Sequence, residues 1–217
     1  MDMMNEPEPT DAAVPSRAET GRVEAFSDGV LAVAITLLVL DLKIPHVAGD
    51  SLWHSLLKEW PAYVAYLTSF LIIGIIWMNH HSIFLKIRFV DRGIMLLNLL
   101  LLAITVAIPF GTTLVSAYLT EPGRNGNIAM AVYSGLSLAM AIAFSLLWGY
   151  ALQRPHLLEP GVDVEASRKA FPRFAGGGIV YAVLIGVSLI NAIVALIITL
   201  LLALYYAFEQ LPGSRRV

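Results

Sequence analysis

The sequence predicts an all-α membrane protein with six transmembrane helices, and three observations predict it. The 217 residues are 58% hydrophobic and only 14% charged, where soluble domains run near ~25% charged; mean hydropathy is +0.74. The apolar residues gather in runs of about 20, the length a helix needs to cross a bilayer. The basic residues fall mostly on alternate connections, which places them on one side of a membrane. A net charge of −2 offers no case for nucleic-acid binding, and the absence of cysteine excludes disulfides, Cys-ligated metals and thiol catalysis.

Residues 1–21 are acidic, contain proline and have few large apolar side chains. They lack the basic start and apolar centre of a signal peptide, so a disordered cytosolic tail is expected there. The first span is expected over about 26–44, closed by Pro45, which continues a helix poorly. Residues 51–60, SLWHSLLKEW, are amphipathic, with Trp53 and Trp60 suited to the interface. The second span follows over about 61–79. A third runs from Ile94 to Leu119 with Pro109 as a kink, and a fourth covers about 128–151, ending near Trp148 and Tyr150. From 179 to 208 the chain stays apolar for about thirty residues, too long for one ordinary span, and the stretch can be extended back to Phe174. Division near Ser188 to Asn191 into two helices is expected, one long tilted helix being the alternative.

Charge favours division. With six helices, one side holds Arg17, Arg22, Lys86, Arg88, Arg92, Arg154, Arg168, Lys169, Arg173, Arg215 and Arg216, and the other only Lys43, Lys58 and Arg124. That bias fits a multi-pass protein of the cell membrane with both termini in the cytoplasm. Residues 22–210 form a single membrane domain, and 211–217 a short basic tail.

The first span repays reading as a wheel. At ~100° per residue, Val33, Leu37 and Leu40 share a narrow stripe, with Gly29 one turn below and Thr36 beside it. Asp28 lies ~140° round from Val33, and Ser27 lies on the other flank. A carboxylate at a membrane boundary is costly unless paired. It either caps the helix N-terminus or joins an interhelical network. Trp77, Asn79, His80 and His81 at the end of the second span, and Asn98 early in the third, lie at the same depth. Arg22 is six residues from Asp28 and off its face. Taken alone, the stripe reads as a helix-packing face rather than as a pore lining, which is normally more polar.

The run Arg22-x-x-x-Phe26-Ser27-Asp28 followed by GVLAVAITLLVL resembles the signature of the transmembrane protein 175 family of potassium channels. WMNHHSIF at 77–84, Asn98 and Pro109-Phe110 extend the resemblance over most of the chain. It implies a homotetramer with first helices lining a central pore, potassium and other monovalent cations as permeant ions, and no cofactor. Constriction positions in such channels lie five, nine and twelve residues after the motif aspartate, here Val33, Leu37 and Leu40, with Thr36 offering hydroxyls to a passing ion. Some relatives carry isoleucine or leucine where this chain has Val33, which leaves open whether Val33 or a leucine forms the narrowest ring. The family lacks a carbonyl-lined filter, and no TVGYG-like run occurs here; conduction would then depend on an apolar constriction that wets when wide, with modest preference for potassium over sodium. On this reading Arg22, Phe26, Ser27 and Asp28 anchor the helix base against Trp77, His80, His81 and Asn98. Asp41 either attracts cations at the outer mouth or is a solvated surface charge.

Other classes remain to be weighed. Adjacent His80 and His81 point in different directions on a helix, and the histidines (His46, His54, His80, His81, His156) show no HExxH spacing; neither a metal site nor a membrane enzyme is expected. A small secondary transporter would show broken helices at mid-membrane, for which Pro172 and the glycines at 176–178 are the candidates. A non-conducting membrane scaffold is the third alternative.

Overall fold

The computed structural model describes residues 17–43 and 51–209. Eight α-helices carry most of them: α1 (Arg17–Leu37), α2 (Leu52–Lys58), α3 (Trp60–Phe84), α4 (Arg92–Thr105), α5 (Ile108–Tyr118), α6 (Asn125–Leu152), α7 (Val164–Ile190) and α8 (Ala192–Glu209). Five segments are long and apolar enough to cross a membrane: 20–41, 60–84, 92–118, 125–152 and 164–190. The apolar helix Ala192–Phe208 is shorter.

α6 is the hub and packs on α4, α5, α7 and α8, while α3 packs on α1, α5 and α8. Their shared core includes Ile73, Leu101, Met130, Leu147 and Leu196, all fully buried. Buried hydroxyls stitch the same helices: Ser69 on α3 lies 2.7 Å from Thr112 on α5 and 2.8 Å from Tyr133 on α6. Such bonds satisfy groups that hydrocarbon cannot.

Two expected interruptions are present. α4 gives way to α5 at Val106–Ala107, just ahead of Pro109, whose missing N–H and ring do not fit a continuous helix. The apolar stretch after Phe174 breaks at Asn191, whose backbone is extended (φ −151°, ψ 107°). Asn127 on α6 completes that turn, donating to the Leu189 carbonyl at 3.0 Å and accepting from the Ala192 N–H at 3.2 Å. The single tilted helix is thereby excluded.

Helix ends differ from the sequence expectation. α1 starts at Arg17, so residues 17–21 of the expected disordered tail are helical, and it tightens after Leu37 into a 3-10 turn over Leu38–Asp41. Pro45, residues 1–16 and the tail at 211–217 lie outside the described residues. α3 runs on to Phe84, five residues past the expected end. α7 begins at Val164 because the Asp163 side chain caps it, accepting from the Ala166 N–H at 2.9 Å. It continues through Pro172 and the glycines at 176–178, which therefore mark no broken helix.

One end of the bundle is closed by connections rich in basic residues. Arg88 N–H donates to the Leu157 carbonyl at 2.8 Å, and Glu159 N–H to the Lys86 carbonyl at 2.9 Å. Thr20 on α1 donates to the Arg88 carbonyl at 2.9 Å. Asp91 caps α4 through the Ile94 N–H at 2.8 Å and accepts from the Tyr150 hydroxyl at 2.9 Å. Gly93 is required there, since a Cβ would run into the Tyr150 ring and hydroxyl. The Arg154 guanidinium lies over the same ring at 3.7 Å. The α1 base and the α3–α4 and α6–α7 connections thus share one end, as the charge pattern requires.

Candidate functional site

The polar base of α1 faces two neighbours. Ser27, His80 and Asn98 are buried at 0%, 0% and 2% exposure, so each polar atom needs a partner. Asn98 Nδ2 donates to Ser27 Oγ at 2.9 Å, and Ser27 Oγ donates to the Val23 carbonyl at 2.8 Å. The amide therefore turns its oxygen toward His80, 2.9 Å from Nε2. A carbonyl oxygen only accepts, so Nε2 carries the hydrogen and the donors run in one direction, from α3 through α4 to α1. His80 Nδ1 is left without a partner among the described residues, and the ring stacks on Phe84 with centroids 4.3 Å apart.

Asp28 is turned toward α3, where Trp77 Nε1 donates to its Oδ1 at 2.9 Å. One turn lower, Glu24 Oε1 meets His81 Nδ1 at 2.8 Å. Asp28 is thus held by an interhelical bond well inside α1, eleven residues past the helix start, and the capping alternative falls. Asp28, Leu31, Ala32, Ile35, Ile73, Gly74 and Trp77 line a cavity of about 190 Å³ between α1 and α3.

The motif divides between faces. Ser27 and Asp28 join Trp77, His80, His81 and Asn98 in a network, but Arg22 and Phe26 do not; both are exposed, Phe26 at 56%. On the wheel they fall on the stripe side, since Arg22, Phe26, Gly29, Val33 and Leu40 lie within ~60° of one another. The buried face of α1 is Thr20, Ser27, Leu31, Ala34 and Leu38. Opposite it, Val33 is 56%, Leu37 43% and Leu40 73% exposed, and Gly29 and Thr36 are exposed with them. Thr36 donates to the Val33 carbonyl at 2.9 Å, which commits its one hydrogen and leaves its oxygen able to accept. Beyond the stripe, half-buried Asp41 accepts from Thr113 at 2.7 Å, so it is tied to α5 and is not a freely solvated charge.

Known proteins resemble this chain in sequence and fold. The family model described as endosomal/lysosomal potassium channel TMEM175 matches residues 22–109, from the motif to the start of α5. A protein named potassium channel from Streptomyces collinus is 48% identical over 199 residues, covering 91% of this chain and 96% of its own. The chain belongs to the TMEM175 family. A potassium channel from Chamaesiphon minutus is 42% identical over 202 residues, with 90% of this chain and 97% of that one covered. The crystal structure described as a lysosomal potassium-selective channel TMEM175 homolog from Chamaesiphon minutus superposes with a TM-score of 0.78 at 40% identity, covering 88% and 98% of the two chains. These relatives are channels, not enzymes, and the chain is accordingly a multi-pass membrane protein rather than a membrane enzyme.

Sequence reasoning missed three participants. Glu24 was legible as a residue one turn from Asp28 on a related face. Thr20 carried no signal of its own, because its acceptor is a loop carbonyl 68 residues away. Thr113 lies four residues after Pro109, a spacing that hydropathy does not register.

Proposed function

We propose that the chain is a potassium-conducting cation channel in which four copies place their α1 stripes around a central axis. The carrying observation is the exposure of Val33, Leu37 and Leu40 on a helix whose opposite face is wholly buried. Lipid could cover an apolar stripe, but Gly29 and Thr36 on the same side favour close approach of further helices. The names of the Streptomyces and Chamaesiphon relatives support potassium as the permeant ion.

In this reading α8 is the sixth span, both termini are cytoplasmic, and the protein sits in the cell membrane. Rings of Val33, Leu37 and Leu40 form the constriction, which conducts when wide enough to wet and closes by dewetting. Four Thr36 oxygens, their hydrogens committed to Val33 carbonyls, replace part of the ion's water. Potassium is favoured modestly over sodium because it gives up water more readily and because no carbonyl cage enforces stricter choice. No cofactor takes part.

Current through the purified protein in planar bilayers, with potassium facing sodium, tests this. Discrete steps and a reversal potential toward potassium are expected. Silence from a protein shown by light scattering to be a tetramer, or saturable coupled uptake in vesicles, overturns the channel reading in favour of a scaffold or a transporter.

A further inference from the structure

We propose that Thr113 is a positioning residue for conduction: its hydroxyl holds the Asp41 carboxylate at the outer end of α1, where a ring of four sets the local cation concentration at the pore mouth. The inference rests on the channel reading above. It starts from the end of α1, where the helix tightens into a 3-10 turn over Leu38–Asp41. Leu38 is fully buried and Leu40 is 73% exposed, so the turn is pinned on one side and faces away from the bundle on the other. A 3-10 turn advances ~120° per residue, which swings Asp41 off the Leu40 direction. Its carboxylate is thereby set back from the axis, beside α5.

Thr113 meets it there. Thr113 Oγ1 is 2.7 Å from Asp41 Oδ1 and 3.0 Å from the Pro109 carbonyl oxygen. A hydroxyl has one hydrogen, and both neighbours are acceptors. Two oxygens at 2.7 Å need a hydrogen between them, so Thr113 gives it chiefly to Asp41. The Pro109 carbonyl, from one turn below on its own helix, takes at most the weaker share of the same hydrogen at the longer distance.

The chemistry of this partner matters. A neutral hydroxyl orients the carboxylate without cancelling its charge, as an arginine or lysine would. Lys43 stands two residues further and is exposed, where water screens it, whereas Asp41 is half-buried. The result is a fixed anion that acts on cations through space and binds none tightly.

Screening supplies the test. The reach of a fixed charge is about 10 Å at 0.1 M salt and about 3 Å at 1 M. Single-channel conductance is measured in symmetrical potassium chloride across that range for the wild type and for Asp41→Asn, Thr113→Val, Thr113→Ser and the Asp41→Asn/Thr113→Val double variant. About a twofold loss at low salt is expected for Asp41→Asn, vanishing at 1 M. Thr113→Val reproduces part of that salt-dependent loss, Thr113→Ser restores it, and the double variant is no worse than Asp41→Asn. A Thr113→Val conductance equal to wild type at low salt, or reduced alike at every salt as a purely structural role would give, overturns the inference. So does a salt-independent Asp41→Asn. A wild type that passes no potassium overturns the channel reading itself, and this inference with it.

Discussion

Between Thr20 and Asp28, α1 is held by directional bonds: Thr20 to the Arg88 carbonyl, Glu24 to His81, Ser27 to Asn98 and Asp28 to Trp77. Between Leu31 and Leu38 the same helix is held by apolar packing, with Leu31, Ala34 and Leu38 buried and, among the described residues, no interhelical polar tie until Asp41 reaches Thr113. Hydrogen bonds have narrow geometric optima, whereas apolar burial is non-directional. The base therefore fixes the rotation and depth of the helix, and so which side chains face away from the bundle. The upper half keeps those side chains aligned through packing, without a hydrogen-bond geometry to its neighbours. In the proposed channel, a constriction that opens by dilating draws on both halves of α1.

The comparison can be broken at its strongest point first. Asn98→Leu leaves the His80 Nε2–H without its acceptor and the Ser27 oxygen without its donor in a buried site, and should cost about 2–4 kcal/mol. Thermal unfolding in detergent reads this; a variant as stable as the wild type would remove the base as the anchoring half. The adjacent leucines sharpen the upper half. Leu38→Ala empties a fully buried position and should destabilise by about 2–4 kcal/mol. Leu37→Ala, on the face away from the bundle, should leave stability of the subunit nearly unchanged while raising potassium leak in liposome flux assays. Equal destabilisation by the two would mean the faces are not distinct. The smallest effect belongs to Glu24→Gln. The Glu24–His81 pair is partly exposed, with side chains at 24% and 47%, and should contribute less than about 1 kcal/mol. A larger loss, or one insensitive to salt, would place this pair among the buried anchors.

Much of the site was legible because one periodicity governs it. The ~100° step of a helix separates Val33, Leu37 and Leu40 from Ser27 and Asp28 before any coordinates are known. Depth alone brought Trp77, His80, His81 and Asn98 to the level of the motif. The error came from treating the motif as one unit. Arg22 and Phe26 belong to the same seven-residue run as Ser27 and Asp28, but they lie on the exposed side of α1, away from the α3 and α4 network.

By itself the sequence determined the membrane class, the positions of the apolar segments, the kink ahead of Pro109, the division at Asn191 and the existence of a polar base and an apolar stripe on α1. These follow from hydropathy and backbone stereochemistry, which are local properties of a segment. Only the tertiary structure decided which neighbour each polar group takes: Ser27 with Asn98, 71 residues away, and Asp28 with Trp77, 49 away. It also decided where the helices end, through the caps at Asp91 and Asp163 and the polar closure of the Asn191 turn by Asn127. Partner choice depends on the relative rotation of helices distant in the chain, and that rotation is set only when all of them pack together.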